Sequence, residues 1–327
     1  MTAIPLRVGV AGAGHFGRYH ALKLATGGPR ARLSGVHDRH TERARSVAAE
    51  TGAPDLSLPE LLQASDALIV AVPAAVHFPI AKAALMAGKH VLVEKPIAAS
   101  LAEADRLARL ADERGLVLQV GHLERFSAAY GALAGRVGPP LYIEATRVAP
   151  FKPRGTDVSV ILDLMIHDLD LVLSLTDSPI EQVDAVGAAI SGPHEDIANA
   201  RIRFASGAVA AITASRVASR TERQMRIFAQ DGYVALDFAN RRLTVIRRGE
   251  GQAIPGLGGF EMEQACWQDH DSLAAEQAAF IASVLDGAPV LVDAAGGRRA
   301  LAAALAVADA MAVSRARMSA SGLIQQL

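Results

Sequence analysis

The sequence predicts two domains, an α/β N-terminal Rossmann-type domain with a doubly wound parallel sheet, then an α+β C-terminal domain with a mostly antiparallel open sheet. Three observations carry this reading. Strand-like and helix-like patterns alternate along the first third of the chain; a glycine-rich loop lies between the first strand and the first helix; and alternating extended segments separated by turn residues dominate after about residue 122. A length of 327 residues suits two domains. The boundary is placed between 1–121 and 122–327, with the terminal helix available to pack back on the first domain.

Leu6–Ala11 is an apolar run of the kind buried in a parallel sheet, and Gly12-x-Gly14-x-x-Gly17 follows at once, with a helix starting near Phe16. In such a loop the first glycine permits the tight turn, the second lets backbone amides approach a pyrophosphate, and the third lets helix pack on strand. Further strands are expected at 33–37, 67–72, 90–93 and 116–120, and helices at 41–50, 77–87 and 100–113. Thr41 and Ser100 suit helix caps, and Gly88 and Gly115 suit helix stops. Asp38, at a strand end about twenty residues beyond the glycine loop, is the acid placed to accept ribose hydroxyls. A carboxylate there repels a 2′-phosphate, which favours NAD; Arg39 beside it keeps NADP open. Val91-Leu-Val-Glu94-Lys95-Pro96 ends a buried strand in an acid, a base and a proline, at the sheet edge where open α/β folds bind ligands.

In the second domain, extended segments are expected at 141–148, 183–190, 198–204, 208–217, 224–229, 232–238 and 243–247. Ser206-Gly207 and Asp231-Gly232 mark hairpin turns, and the stretch 249–259 reads as a long irregular loop. Helices are expected near 158–175, 271–286 and 293–313. On the first of these, Asp163 and His167 stand four apart and share a face, while Leu162, Met165, Ile166 and Leu169 fill the buried side. A carboxylate and an imidazole so placed can move a proton as a unit; a surface ion pair is the plainer reading, and no further His or acid at a supporting spacing points to a metal.

Composition narrows the class. The single cysteine, Cys266, excludes an intramolecular disulfide and any multi-cysteine metal site, and a net charge of −1 offers no field for nucleic acid or anionic lipid. No apolar run is long enough to span a membrane, and the first residues lead straight into a strand, so a cytoplasmic protein is expected.

Together the glycine loop, Glu94-Lys95-Pro96 and Asp163-x-x-x-His167 resemble the glucose–fructose oxidoreductase/inositol dehydrogenase/MocA family over essentially the whole chain. The resemblance implies an NAD(P)-dependent oxidoreductase acting on CH–OH groups, with Lys95, Asp163 and His167 as the catalytic set and either Lys95 or His167 as proton acceptor. It implies a cofactor pocket built from Gly12, Gly14, His15, Phe16, Gly17, Asp38, Arg39, Val72, Pro73, His77, Glu94, Lys95 and Pro96, with a cis bond before Pro96. It also implies a homodimer or homotetramer formed through the C-terminal sheet. Gly121-His-Leu-Glu-Arg-Phe126 and Phe151-x-Pro-Arg-Gly-Thr-Asp157 look like the branch that oxidises the 3-hydroxyl of UDP-N-acetylglucosamine or similar nucleotide sugars. His122, Glu124, Arg125, Arg154 and Asp157 are then the substrate-binding candidates, and Arg147 and Lys152 add positive charge suited to phosphate, although each of these cations could equally be an ordinary strand- or loop-end charge. A dehydrogenase of a free sugar, polyol or other small carbonyl compound, and a non-catalytic dinucleotide-binding module, stand beside this reading; Val158-Ser-Val160, bulkier than the family's glycine-rich turn, disfavours free polyols.

Overall fold

The computed structural model describes residues 4–133, 135–136, 138–152, 158–251, 253–268 and 270–323. The chain divides into two compact units, Met1–Phe126 with Asp271–Leu301, and Ser127–His270 with Ala302–Leu327. The first boundary thus falls after Phe126 rather than at 121/122, and a C-terminal segment belongs with the first unit. Backbone and side-chain bonds explain the return: Val120 N donates to Val292 O at 2.9 Å, and the Gln119 amide donates to Glu276 O at 3.2 Å.

The first unit holds a five-stranded parallel sheet of β1 (Leu6–Ala11), β2 (Ala31–His37), β3 (Ala67–Val70), β4 (His90–Glu94) and β5 (Leu118–Gly121), in the order β2-β1-β3-β4-β5. All four residues of β3 are buried, as are Val91, Leu92 and Val93 of β4. Strands covered on both faces read as continuous apolar runs, which is why they were legible. The helices are α1 (His15–Thr26), α2 (Thr41–Thr51), α3 (Leu58–Ala64), α4 (His77–Met86) and α5 (Leu101–Arg114). Ser100 caps α5 by accepting from Glu103 N, and Gly115 ends it in the left-handed region. Thr41 is not a cap: His40 precedes α2 as its N-cap and makes no side-chain capping bond. The sequence reading lacked α3, a seven-residue helix closed by a Ser57/Glu60 capping box.

The second unit opens with α6 (Ala128–Leu133) and carries a nine-stranded sheet. Its strands are β6 (Pro140–Val148), β7 (Ile180–Ala188), β8 (Ile197–Phe204), β9 (Val209–Ser215), β10 (Glu222–Ala229), β11 (Gly232–Asp237), β12 (Arg242–Arg248), β13 (Ala253–Ile254) and β14 (Leu257–Cys266). The order is β13-β14-β12-β11-β10-β6-β9-β8-β7, antiparallel throughout except for the parallel pair β6–β9. β8 alternates strictly between exposed and buried residues, the signature of a sheet with one covered face. A π turn (Ile161–Met165) runs directly into α7 (Ile166–Thr176). The stretch expected as a loop over 249–259 is strand in part, at Ala253–Ile254 and from Leu257 onward, because β13 and β14 extend the sheet beyond β12. Two helices complete the chain, α8 (Ser272–Asp286) in the first unit and α9 (Ala294–Ala320), whose residues are divided between the units. Among the described residues, no helix is long and apolar enough to cross a membrane.

Candidate active site

The glycine loop has the shape its sequence requires. Gly12 has φ +104°, and a Cβ there would lie 2.4 Å from Ala71 O; a Cβ on Gly17 would lie 1.7 Å from Gly12 O. Any larger residue at either position must break the packing of loop, helix and β3 end. Gly14 is the N-cap of α1, without a side-chain cap, and nothing lies within 4 Å of where its Cβ would be. A helix N-terminus with open space above it is a ready anion site, so this loop fits a dinucleotide pyrophosphate. Asp38 stands at the end of β2 beside the loop, Oδ2 accepting from Ala13 N at 2.7 Å and Oδ1 from His40 N at 2.8 Å. The acid therefore anchors the loop as well as offering lone pairs outward. Arg39 is exposed and donates to His40 Nε2 at 3.2 Å. His15 meets Phe16 and Tyr19 edge-on, with ring centroids 5.7 and 5.0 Å away.

At the end of β4, Glu94 is buried, Lys95 is partly exposed, and the Lys95–Pro96 bond is cis, as expected. His77, the first residue of α4, is enclosed, with Nδ1 2.7 Å from Pro96 O and Nε2 2.8 Å from Val72 O. Burial pushes its pKa down, against the pull of those two carbonyls. The ring is committed to holding the Val72-Pro73 turn against Pro96, and so shapes the pocket instead of presenting a nitrogen to a ligand. His122 is likewise fully enclosed. Burial, and then the charges of Lys95 and Arg125, hold its imidazole neutral, with a pKa lowered to about 3. A direct substrate contact from His122 does not fit this burial; Glu124 and Arg125, in the short 3₁₀ turn Leu123–Phe126, are both partly exposed.

In the second unit, Asp163 lies within the π turn and His167 in the first turn of α7, both partly exposed, while Met165, Ile166 and Leu169 are buried as expected. Leu162 is only partly buried. The sequence spacing predicted one continuous α-helix; the i→i−5 bond from Ile166 N to Ile161 O marks the departure. Single π turns inside helices recur at functional sites. Arg147 does not serve as a phosphate contact. It is buried in a bidentate pair with Asp168, Nε–Oδ2 2.8 Å and Nη2–Oδ1 2.9 Å. That pair ties β6 to α7 and so fixes the helix that carries His167 to the sheet. Arg216 does the same for the segment ahead of the helix, bonding Asp196 at 2.7 Å and Val158 O at 2.8 Å. Lys152 is exposed. Arg154 and Asp157 lie outside the described residues.

A group absent from the sequence reading sits behind Glu94. His20 of α1 is fully buried, with Nε2 2.8 Å from Glu94 Oε1, and Gln277 Nε2 of α8 donates to His20 Nδ1 at 3.0 Å and to His20 O at 3.1 Å. Glu276, also fully buried, completes the cluster. The available signal was a polar residue on an apolar helix face: His20 shares the buried face of α1 with Gly17, Ala21 and Leu24, and Glu276 and Gln277 share that of α8 with Phe280 and Ser283.

Comparison with known proteins finds relatives of both domains. Residues 6–122 match the family model described as oxidoreductase family, NAD-binding Rossmann fold, and residues 132–235 match the GFO/IDH/MocA C-terminal domain. The chain is 45% identical over 307 residues to a UDP-N-acetylglucosamine 3-dehydrogenase of Acidithiobacillus ferrooxidans, covering 93% of this chain and 96% of that one. A solved structure of UDP-N-acetylglucosamine 3-dehydrogenase from that organism superposes with a TM-score of 0.88 at 44% identity, covering 94% of this chain and 98% of the other. A scyllo-inositol 2-dehydrogenase (NAD(+)) of Bacillus subtilis is 28% identical, over 88% of this chain and 89% of its own. Glycine loop, Glu-Lys-Pro turn, Asp-x-x-x-His helix and both matched domains place the chain in the Gfo/Idh/MocA family of NAD-binding oxidoreductases.

Proposed function

We propose that the chain oxidises the 3-hydroxyl of UDP-N-acetylglucosamine, or of a closely similar nucleotide sugar. The observation that carries the substrate is the 45% identity to a UDP-N-acetylglucosamine 3-dehydrogenase along nearly the full length of both chains. The chemistry rests on the residues. When bound, NAD supplies the hydride acceptor at nicotinamide C4. His167 takes the proton of the sugar hydroxyl, and Asp163 orients the imidazole and stabilises its charged form. Lys95 donates a hydrogen bond to the same oxygen as alkoxide character develops on it. In the reverse direction the same groups return the proton. Asp38 selects against a 2′-phosphate, and Gly14 leaves the α1 N-terminus open to the pyrophosphate. Glu124, Arg125, Arg154 and Asp157 are the substrate-binding candidates.

A cytoplasmic homo-oligomer suits this reading. Leu141 is 61% exposed and Phe228 38% exposed on the sheet of the second unit. The Phe228 ring packs between Tyr142 and Tyr233, with centroids 5.7 and 4.8 Å away, which supports association through that sheet. The test is a nicotinamide absorbance assay with UDP-N-acetylglucosamine, free N-acetylglucosamine and inositol. Reduction of NAD with the nucleotide sugar alone is the expected result, and equal use of the free sugars sinks the proposal.

A further inference from the structure

Glu276 is a fully buried ionisable group on α8 whose carboxyl oxygens have no hydrogen-bond partner. Its ligand atom lies within 4.8 Å of those of His20 and Glu94. The neighbours supply no positive charge in direct contact. Gln277 Nε2 donates to both His20 Nδ1 and His20 O, an arrangement that fixes the amide's orientation, since its oxygen would face a carbonyl. Nδ1 is therefore an acceptor, the ring proton is on Nε2, and His20 is the neutral donor to Glu94 Oε1. With its proton on Nε2, His20 presents a donor to Glu94, and its Nδ1 lone pair is taken by Gln277. Gln119 of β5 donates to Glu276 O, while its own amide oxygen, also buried, accepts nothing. The pocket already holds more acceptors than donors. A second carboxylate adds acceptors only, whereas a carboxylic acid adds a donor.

The cluster is built tightly against the reacting strand end. A Cβ on Gly121 would lie 3.1 Å from both Glu94 Cα and Glu94 Oε2, so Glu94 has little room to turn away. Lys95 follows Glu94 directly. We propose that Glu276 is a positioning residue of the dehydrogenase site, held as a neutral carboxylic acid so that Glu94 alone carries negative charge beside Lys95. Burial, then the charge of Glu94, raise the Glu276 pKa well above the carboxylate range, in keeping with this geometry. The charge acting on Glu276 is that of Glu94 at the end of β4; Lys95 follows it, neutral His122 and Arg125 follow the neighbouring strand β5, and the Lys23–Asp271 ion pair joins α1 to the start of α8. Ionising Glu276 puts a second negative charge behind Glu94, the residue before Lys95, so the Lys95 ammonium holds its proton more tightly and the alkoxide contact changes.

This rests on the dehydrogenase reading only for its link to turnover; two of its tests need neither cofactor nor sugar. A group protonated in the folded protein and ionised in the unfolded chain gives stability that is complete below the ordinary Glu pKa and is lost as pH rises through the raised one. The wild-type melting temperature should therefore fall as pH rises from the ordinary Glu range through the raised pKa. Glu276→Gln, which keeps the shape and a donor but cannot ionise, should lose that fall. Infrared spectra of wild type at neutral pH should show a protonated-carboxyl band that is missing in Glu276→Gln. Glu276→Ala should lower both melting temperature and kcat/KM, and Glu276→Gln should rescue both. Wild type should also keep its alkaline kcat/KM limb at higher pH than Glu276→Gln, because only wild type gains the extra charge that holds the Lys95 proton. Glu276→Gln as impaired as Glu276→Ala, an unchanged melting profile, or no protonated-carboxyl band would overturn the proposal. So would a zinc-dependent rise in melting temperature that Glu276→Gln abolishes, since the cluster would then be a metal site. Failure of the substrate reading looks different: no nucleotide sugar reduces NAD, while the melting and infrared results stand.

Discussion

At the scale of single residues, the account stands on Lys95 and His167. Lys95→Met should cut turnover by at least ~10²-fold, the lower edge for a proton-transfer or oxyanion-stabilising group, while NAD binding measured by calorimetry changes far less. Near-normal turnover would leave Lys95 as a cofactor contact only. His167→Asn should keep the fold and NAD affinity and should erase the acidic limb of the pH–rate profile, where protonation of the imidazole removes the base. A mutant still active with the same limb would move the base to Lys95. The sequence singles these two residues out as candidates because each belongs to a short motif with a mechanical meaning. Arg147 was misread for the opposite reason: a basic residue on an alternating strand looks the same whether it points to solvent or, as here, to the buried Asp168 on the helix that follows. His20 and Glu276 were silent individually, since what marks them is their meeting, which sequence spacing does not display.

At the scale of elements, strand ends do the positioning. Asp38, at the end of β2, is bonded to the glycine loop through Ala13 N, so Asp38→Ser should have a double effect. NADP use should rise relative to NAD as the carboxylate's repulsion is removed, and overall cofactor affinity should fall as the loop loses an anchor. Titration of both cofactors against the variant checks this; an unchanged preference removes Asp38 from cofactor selection. His122, just after β5, gives a pH signature. Its folded-state pKa is lowered to about 3, against ~6.5 in an unfolded chain, so the unfolded state binds the extra proton between those values. Stability should be full above about pH 6.5 and should erode as pH falls toward about 3, and a His122→Phe variant should lose part of that erosion. Chemical denaturation across that window measures it, and parallel curves for both proteins would contradict the assignment. The elements hardest to read were those whose pattern comes from partners. β14 hides behind Gly258-Gly259 and alternates charge more than apolarity. It is held in the sheet by pairing with β12, including Arg247 Nε to Glu261 Oε1 at 2.7 Å. The π turn at Ile161–Met165 is equally invisible to a helical period, because one displaced bond leaves the apolar spacing almost intact.

At the scale of the whole molecule, the order of parts was legible and the boundaries were not. The alternating half and the extended half announce two architectures, but nothing local in 271–301 states that it returns to the first unit. The proposed role of Glu276 depends on that return, since α8 brings Gln277 and Glu276 against His20 and Glu94, the residue before Lys95. The central claim is hydride removal from a defined carbon of a nucleotide sugar. It is tested most directly with UDP-N-acetylglucosamine carrying deuterium at C3, incubated with NAD and the purified protein, with both products read by mass spectrometry. The account predicts deuterium in the reduced nicotinamide and a keto sugar that has lost it. Reduced nicotinamide without the label, or no reduction while a free sugar or polyol is oxidised readily, would contradict it.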